Sequence, residues 1–392
     1  MNNPKIRFSN NKYNNFSDWK KQTVLDVFNV VKDRKQIDRT VLTIKQGVGT
    51  IPRDESGIDI SATQSSIDNY KPVKKNDFVI HLRSFQGGFE IANSDGILSA
   101  AYTILRNKDE ISPLFFKNYF RLPIFIHKKL RFAVEGIRDG KTVNVSLLKD
   151  VEIYTPTIEE QQKIAAFFTA LDEKISIATK KLIQFKNLKK EIARSLFEDC
   201  AAEDFKKIGD FARTFAGATP STSHKEYWEN GTIPWMSSGE INNRYIHSVE
   251  KRITALGFDK TSTKWVKKGS TLVALAGQGK TRGKVAFTEM ELCTNQSLAA
   301  IECDREEVND KYLFFFLETQ YENLRAQSTG DGGRGGLNLF IINNFEVPIL
   351  PLHEQVRIVS ILELIDKKIE LAENKLLVLE QVKRAFMQQM FV

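Results

Sequence analysis

One long segment occurs twice in this chain. Residues 160–197 read EQQKIAAFFTALDEKISIATKKLIQFKNLKKEIARSLF, and residues 354–391, about 194 positions later, read EQVRIVSILELIDKKIELAENKLLVLEQVKRAFMQQMF. The two align without a gap, begin Glu-Gln and end in Phe. Their apolar positions match one for one: Ile164, Phe168, Leu171, Ile175, Ala178, Leu182, Phe185, Leu188, Ile192 and Leu196 against Ile358, Leu362, Ile365, Ile369, Ala372, Leu376, Leu379, Val382, Phe386 and Met390. Spacings of four and three alternate over most of that series, which predicts a coiled-coil seam and not the broader stripe of a surface helix. Each helix would be roughly 60 Å long at 1.5 Å per residue. The alternative is that each helix packs as core on its own globule; the narrow seam and the Lys, Glu and Gln outside it favour pairing. If the halves are related by a pseudo-twofold axis, the helices pair antiparallel.

The repeat reaches upstream. Val143-Asn144-Val145, Leu147-Leu148 and Val151-Glu152-Ile153 parallel Leu337-Asn338-Leu339, Ile341-Ile342 and Phe345-Glu346-Val347, read as short β-prone segments before a proline (Pro156; Pro348 and Pro351). Lys75 to Ile80 and Lys268 to Val273 each read as a turn feeding a buried strand. Between these anchors the halves diverge almost completely, so duplication kept the frame and changed the contents. Thr157-Ile158-Glu159-Glu160 has the spacing of a capping box; the second copy has Pro351 in place of the threonine.

At 392 residues there is room for two domains with their own cores. A net charge of +8 suits a polyanionic partner without proving one. Three cysteines, Cys200, Cys293 and Cys303, form no CxxC pair and read as buried thiols in a reducing compartment. No apolar run is as long as a membrane span, and residues 1–17 lack a signal peptide's hydrophobic stretch. They read as a disordered lead-in, and the expected location is cytoplasmic.

Residues 274–281, ALAGQGKT, satisfy a relaxed nucleotide-binding loop pattern after a strand-like run. Such a loop must open a helix whose amides hold the phosphates. Here RGKVAFT follows, β-prone with a glycine in it, so a hairpin tip is the better reading. HExxH, GxSxG and a GxGxxG after a strand are missing, as are the Asn-Pro-Pro-Tyr and Asp-Pro-Pro-Tyr tetrapeptides of amino-group methyltransferases, and the five histidines lack metal-ligand spacing. No catalytic residue, metal site or bound cofactor is expected. The P-loop enzyme and a purely structural coiled-coil scaffold stand as the alternative functions.

What remains is recognition chemistry near glycine turns. The second globule offers Ser237, Ser238, Asn242, Arg244, the hairpin residues Gln278, Lys280, Thr281, Arg282 and Lys284, then Asn295, Gln296 and Arg334. The first offers Lys45, Gln46, Arg53, Arg83, Ser84, Gln86, Asn93, Arg138 and Lys141. Arg pairs with guanine and Asn or Gln with adenine, while Lys and Arg hold phosphates. Trp228 and Trp235 read as core.

These residues resemble the specificity subunits of type I restriction–modification enzymes over nearly the whole chain. The duplicated helix with its Glu-Gln starts carries the resemblance, with Pro351-Leu352-His353-Glu354-Gln355 and, in the second globule, Pro220-Ser221, Tyr227-Trp228, Ile233-Pro234-Trp235 and Asn295-Gln296. The first globule lacks an Ile-Pro-Trp segment. The resemblance implies two target-recognition domains, each reading half of a split DNA sequence. It also implies modification subunits, expected to number two, that methylate adenine with S-adenosylmethionine, and restriction subunits that use ATP and Mg2+; none of these cofactors is expected on this chain.

The expected fold is therefore α+β: two recognition domains with mixed β-sheet, separated by two long repeated helices paired as an antiparallel coiled coil. The expected division is a lead-in at 1–17, recognition domains at 18–156 and 201–350, and spacer helices at 157–200 and 351–392. Such helices act as a ruler, with half-site spacing near a helical turn of about 34 Å or its multiples. Inserting four residues into each helix, roughly 6 Å of rise, should lengthen the spacer and leave both half-sites unchanged; an unaltered spacer in the methylation pattern would refute the ruler.

Overall fold

The computed structural model describes residues 3–9, 16–33, 40–57, 67–81, 88–108, 110–136, 142–198, 204–277, 280–328 and 336–392. The chain divides into two compact units, Met1–Thr179 with Asn374–Val392, and Lys180–Glu373. The division cuts both long helices in the middle, so each unit holds a part of each.

The first unit is framed by β1 (Lys20–Thr23), α1 (Val24–Val27), β2 (Phe28–Val30), β3 (Phe78–His81), β4 (Glu90–Ile91), β5 (Tyr102–Asn107), α2 (Pro113–Tyr119), β6 (Glu152–Thr155) and the long α3 (Ile158–Glu198). β1 pairs antiparallel with β6, and the main sheet runs β2-β5-β3-β4. The second unit repeats this order with one strand, β9, added: β7 (Asp204–Lys207), α4 (Ile208–Phe211), β8 (Ala212–Ala216), β9 (Tyr245–Ile246), β10 (Thr271–Ala274), β11 (Val285–Thr288), β12 (Leu298–Cys303), α5 (Asp310–Thr319), β13 (Glu346–Ile349) and the long α6 (Leu352–Gln389). β7 pairs antiparallel with β13, and the sheet runs β8-β12-β10-β11-β9. The common frame is much larger than the matched sequence suggests. The halves that diverge in sequence keep one topology, because a buried strand needs apolar residues but not particular ones.

Details of that frame are duplicated. Val24 N donates to Val151 O and Ile208 N to Phe345 O, each at 3.0 Å. The Asp26 carboxylate accepts Thr23 N at 2.8 Å, and Asp210 accepts Lys207 N at 3.1 Å. The two predicted turn-to-strand segments become β3 and β10, both entered through a left-handed residue, Asn76 and Gly269. Mixed sheets occur in the second unit, where β9 lies parallel to β11. Among the described residues of the first unit, every named strand pair is antiparallel, and Val41–Ile97 is an isolated parallel bridge.

In the first unit α3 and α6 pair antiparallel: Phe167 packs on Phe386 at 4.9 Å between ring centres, and Lys383 Nζ reaches Asp172 Oδ1 at 2.5 Å. In the second, Lys186 meets Glu373 at 2.6 Å and Lys189 meets Asp366 at 2.9 Å. Asp172–Lys383 and Asp366–Lys189 are the same interhelical pair made twice, at positions equivalent by the repeat.

The seam is core at its ends and a coiled coil between them. Ile164, Phe168 and Leu171 are buried in the first unit's core, and Ile358, Leu362 and Ile365 in the second's. Ile175, Leu182, Ile369 and Leu376 are half-buried, while Leu188 is 44% exposed and departs from the predicted seam. Thus the two readings of the helix each hold over part of its length. The terminal phenylalanines are also core: Phe391 packs on Trp19, Phe115, Tyr119 and Phe168, and Phe197 on Tyr312 and Phe316.

Three expectations need correction. Leu147-Leu148 and Ile341-Ile342 lie on helical turns, Val145–Asp150 and Leu339–Asn343, not strands. Asn144 and Asn338 start those turns by accepting backbone amides at 3.0 and 2.9 Å, which overrides β-propensity. The described part of the lead-in is tied down: Arg7 pairs with Glu160 at 2.7 Å, Phe8 packs on Phe167, and Ile6 N donates to Gln389 O at 3.0 Å. Finally, only half of the capping box forms. Thr157 Oγ1 accepts Glu160 N at 3.4 Å, but the buried Glu160 carboxylate is taken by Arg7 and by Trp19 Nε1 at 3.2 Å.

Cys293 is buried and Cys303 half-buried, with burial pushing both thiols up to about 12; Cys200 lies outside the described residues.

Candidate nucleic-acid interface

In the second unit the nucleotide-loop look-alike joins antiparallel strands β10 and β11, and no helix opens there among the described residues. Gly277 and Gly283 take positive φ values of 137° and 81°, which lets the chain reverse. The turn is held from behind: Tyr321 Oη donates to Lys280 O at 3.0 Å and Arg325 to Arg282 O at 3.3 Å. That leaves the Lys280 side chain exposed and those of Thr281, Arg282 and Lys284 half-buried. Arg282 Nε is buried and has no hydrogen-bond partner among the described residues. Gln278 lies outside the described residues, as does Arg334.

Beside this turn lies the short 3-10 helix Ser238–Asn243. Glu240 Oε1 accepts from Ser237 N at 2.9 Å and Ser237 Oγ at 3.2 Å, so Ser237 is engaged in capping. Ser238 is half-buried, and Asn242 is exposed and accepts Lys284 Nζ at 2.5 Å. The fold thus brings Asn242 and Lys284 together from segments over 40 residues apart. Asn295 N donates to Met236 O at 3.1 Å, and Thr219 Oγ1 to Gln296 Oε1 at 2.5 Å, which adds two more loops to the same end of the sheets. Their approach requires Gly217, where a Cβ would stand 1.9 Å from Thr294 O. Trp235 is buried there with Nε1 on Ala218 O at 2.9 Å, and Trp228 packs on it edge-on, as expected of core.

Arg244 is the clear departure. Its guanidinium turns inward, binds both oxygens of Glu318 and reaches Asp366 Oδ2 at 2.8 Å. It also stacks over Tyr245, Phe314 and Phe315. Burial opposes its charge, but the Glu318 hydrogen bonds and then Asp366 more than offset this and raise its pKa. Burial likewise works against Glu318, yet Arg244 and Lys189 hold its carboxyl below the usual range. In this structure the guanidinium is therefore turned to the unit's own carboxylates. Nothing in its sequence neighbourhood signalled this, because its partners lie 74 and 122 residues away.

In the first unit Lys45 is exposed at the end of the Leu42–Lys45 and Gly49–Pro52 hairpin. Asn93 supports that hairpin, donating to Thr50 O at 2.9 Å and Val48 O at 3.2 Å, so it is not free to read DNA. Arg53 lies over Tyr70, donates to its hydroxyl at 2.6 Å and has a buried Nε with no partner among the described residues. Arg83, Ser84, Gln86, Arg138 and Lys141 lie outside the described residues.

Sequence reasoning noticed the Glu-Gln starts but missed what the glutamine does. Gln161 Nε2 donates to Pro156 O and its Oε1 accepts Ser112 N, both at 3.0 Å. Gln355 Nε2 donates to Leu350 O at 2.8 Å and Glu307 O at 3.0 Å, and its Oε1 accepts Asn309 N at 2.8 Å. Ser112 and Asn309 are the cap residues of α2 and α5. One buried glutamine in each half therefore locks the start of the long helix to the phenylalanine-rich helix beneath the sheet. Outside the seam both long helices expose apolar residues at repeat-equivalent positions: Ile177 and Leu371, Ile183 and Leu377. Among the described residues no cluster of His, Cys, Asp and Glu could hold a metal, and no helix is long and apolar enough to cross a membrane.

Known proteins share this organisation. Part of the chain is 28% identical over 167 residues to the Escherichia coli EcoR124I/EcoR124II type I restriction enzyme specificity subunit, covering 42% of this chain and 41% of that protein. It is 28% identical over 193 residues to the MjaIX specificity subunit of Methanocaldococcus jannaschii, covering 48% and 44%. These matches span less than half the length of either relative. The crystal structure of the type I restriction–modification S subunit from M. genitalium has the same fold, with a TM-score of 0.61 at 16% identity over 100% of this chain and 99% of that one. The family described as the type I restriction modification DNA specificity domain matches twice, at residues 16–187 and 203–381. Since those two matches contain the two copies of the repeated frame, the chain belongs to the family of type I restriction–modification DNA specificity domains.

Proposed function

We propose that the chain is the DNA-reading subunit of a type I restriction–modification complex, with residues 18–156 and 201–350 each recognising one half of a split target. The observation that carries this reading is one frame made twice under different surface loops. A constant frame presents each reader in the same way, and different loops let the half-sites differ. The contact set is Lys45 and Arg53 in the first unit and Ser238, Asn242, Lys280, Thr281, Arg282 and Lys284 in the second; Ser237 acts through its cap, and Arg244 and Asn93 are assigned supporting roles because their side chains hold internal partners. The residues outside the description, Arg83, Ser84, Gln86, Arg138, Lys141, Gln278 and Arg334, remain in the proposed set on sequence grounds. Chemistry belongs to the partners: two modification subunits carrying S-adenosylmethionine, and restriction subunits using ATP and Mg2+, assembled in the cytoplasm. The equivalent exposed pairs Ile177/Leu371 and Ile183/Leu377 support two like docking surfaces.

Mapping methylated adenines in cells that express the chain with its modification subunit tests the reading. A single bipartite motif is expected, and exchanging residues 201–350 for those of another family member should change one half-site only. Methylation without a bipartite motif, or an exchange that alters both halves, overturns it. A coiled-coil scaffold without reading function would give no sequence-dependent DNA retention in the assembled complex.

Lys280→Ala and Arg282→Ala should each weaken duplex binding to a similar degree for all sequences and reduce the salt slope by about 1. ATP binding by the isolated chain, lost in Lys280→Ala, would instead restore the nucleotide-loop reading.

A further inference from the structure

Arg244 combines three features that a surface ion pair does not need. Its backbone has a positive φ of 45° with ψ of −54°, a sparsely populated conformation for a residue that carries a side chain, held only when the surroundings over-determine it. Its side chain is only 29% exposed and is shared by carboxylates of two helices, Glu318 of α5 and Asp366 of α6, while Lys189 of α3 completes the set at 2.9 Å from each. It also stands directly between the Ser238–Asn243 helix, with exposed Asn242 on Lys284, and the edge strand β9, whose Tyr245 hydroxyl reaches Asp366 at 3.1 Å. The first unit has the equivalent Asp172–Lys383 pair, but its sheet ends at β4, and among its described residues no edge strand or arginine joins that pair.

We propose that Arg244 is a positioning residue for target selection: it fixes the reading surface of the second unit on that unit's own helix pair and so determines which spacer length is accepted. This rests on the DNA-reading function proposed above. The distances make the discrimination physically adequate. A hydrogen bond near 2.8 Å is lost by about 3.5 Å, whereas one base pair advances each strand by about 3.4 Å. A clamp that yields by less than one ångström therefore resists a one-base-pair shift of its reader. Without it, the exposed turn and the Ser238–Asn243 helix can follow a half-site displaced by one step. Lysine is not an adequate substitute, since one ammonium cannot grip Glu318 through two nitrogens and reach Asp366 with a third.

The test is methylation mapping of the complex carrying Arg244→Met, Arg244→Lys or Asp366→Asn, with Lys311→Gln as comparison. Lys311 joins α5 to α6 through Glu363 at 2.6 Å and lines the same cleft as Asn242 and Arg244, so its loss perturbs the helix pair while leaving the Arg244 contacts in place. Expected in the Arg244 variants is methylation of the same two half-sites at spacers one base pair longer or shorter. The preference for the native spacer should fall roughly tenfold, the equivalent of about one charge-assisted hydrogen bond lost. Lys311→Gln should keep the native spacer. Should Arg244→Met not accumulate as folded chain, Asp366→Asn, which leaves Arg244 on Glu318, decides the question by the same readout. An unchanged spacer preference, altered bases within a half-site, or equal relaxation in Lys311→Gln each overturns the proposal. Absence of a bipartite motif in the unmodified complex would instead refute the reading function itself.

Discussion

Gln355→Ala should destabilise the second unit by about 3 kcal/mol, because it removes three hydrogen bonds to backbone groups at roughly 1 kcal/mol each. The groups are Asn309 N, Leu350 O and Glu307 O, and the glutamine is fully buried. In a unit of this size that corresponds to a fall of about 6–12 °C in its melting transition. Gln161→Ala removes two such bonds, to Pro156 O and Ser112 N, and should cost about 2 kcal/mol in the first unit. Thermal or urea unfolding followed separately for the two units checks both values. A loss below about 1 kcal/mol for Gln355→Ala would show that water replaces the glutamine, and the latch would then be no more than a contact.

The second large effect separates core from coiled coil within one seam. Phe168→Ala should cost about 4 kcal/mol, in the range of large-to-small changes at fully buried aromatic sites. Phe168 has no exposed surface and packs on Phe167 and Phe391. Leu182→Ala, fourteen positions along the same stripe, removes a half-buried side chain and should cost about 1.5 kcal/mol, half or less of a full leucine burial loss. Denaturant titration of the two variants gives the comparison directly. Equal losses would mean that the seam is uniform and that the helix start is no part of the first unit's core.

The contrast shows why periodicity took the reading so far and no further. The four-three spacing located both helices and their seam, since only residues on one narrow stripe can repeat in that way, and the twofold relation of the two copies gave the antiparallel pairing. It could not say what the stripe faces, because Phe168 and Leu182 occupy equivalent places in the pattern. Matched charges were legible as well: Asp172 and Lys189 recur as Asp366 and Lys383. Their pairing across the two helices could have been anticipated from the repeat.

The candidate interface was less legible. Lys280 and Asn242 lie where turn chemistry and polar composition placed them, exposed near glycines. Arg244 has the same composition and the same kind of neighbours, yet its guanidinium faces Glu318 and Asp366. Asn93 resembles a reader in sequence and serves as a hairpin brace. For such residues the direction of the side chain decides the role, and that direction depends on carboxylates and carbonyls far away in the chain.

The sequence by itself determined that there are two copies of one frame, where the long helices run, that the look-alike nucleotide loop lacks its helix, and which family the chain resembles. These properties are periodic or local, so each is written in neighbouring residues. Only the tertiary structure decided that Glu160 holds Arg7 and Trp19 in place of its own cap, that Gln161 and Gln355 lock each long helix to its unit, and that Arg244 is a clamp. These depend on partners brought together from distant parts of the chain, where burial makes an unpaired donor or carboxylate costly and so fixes which residues must meet.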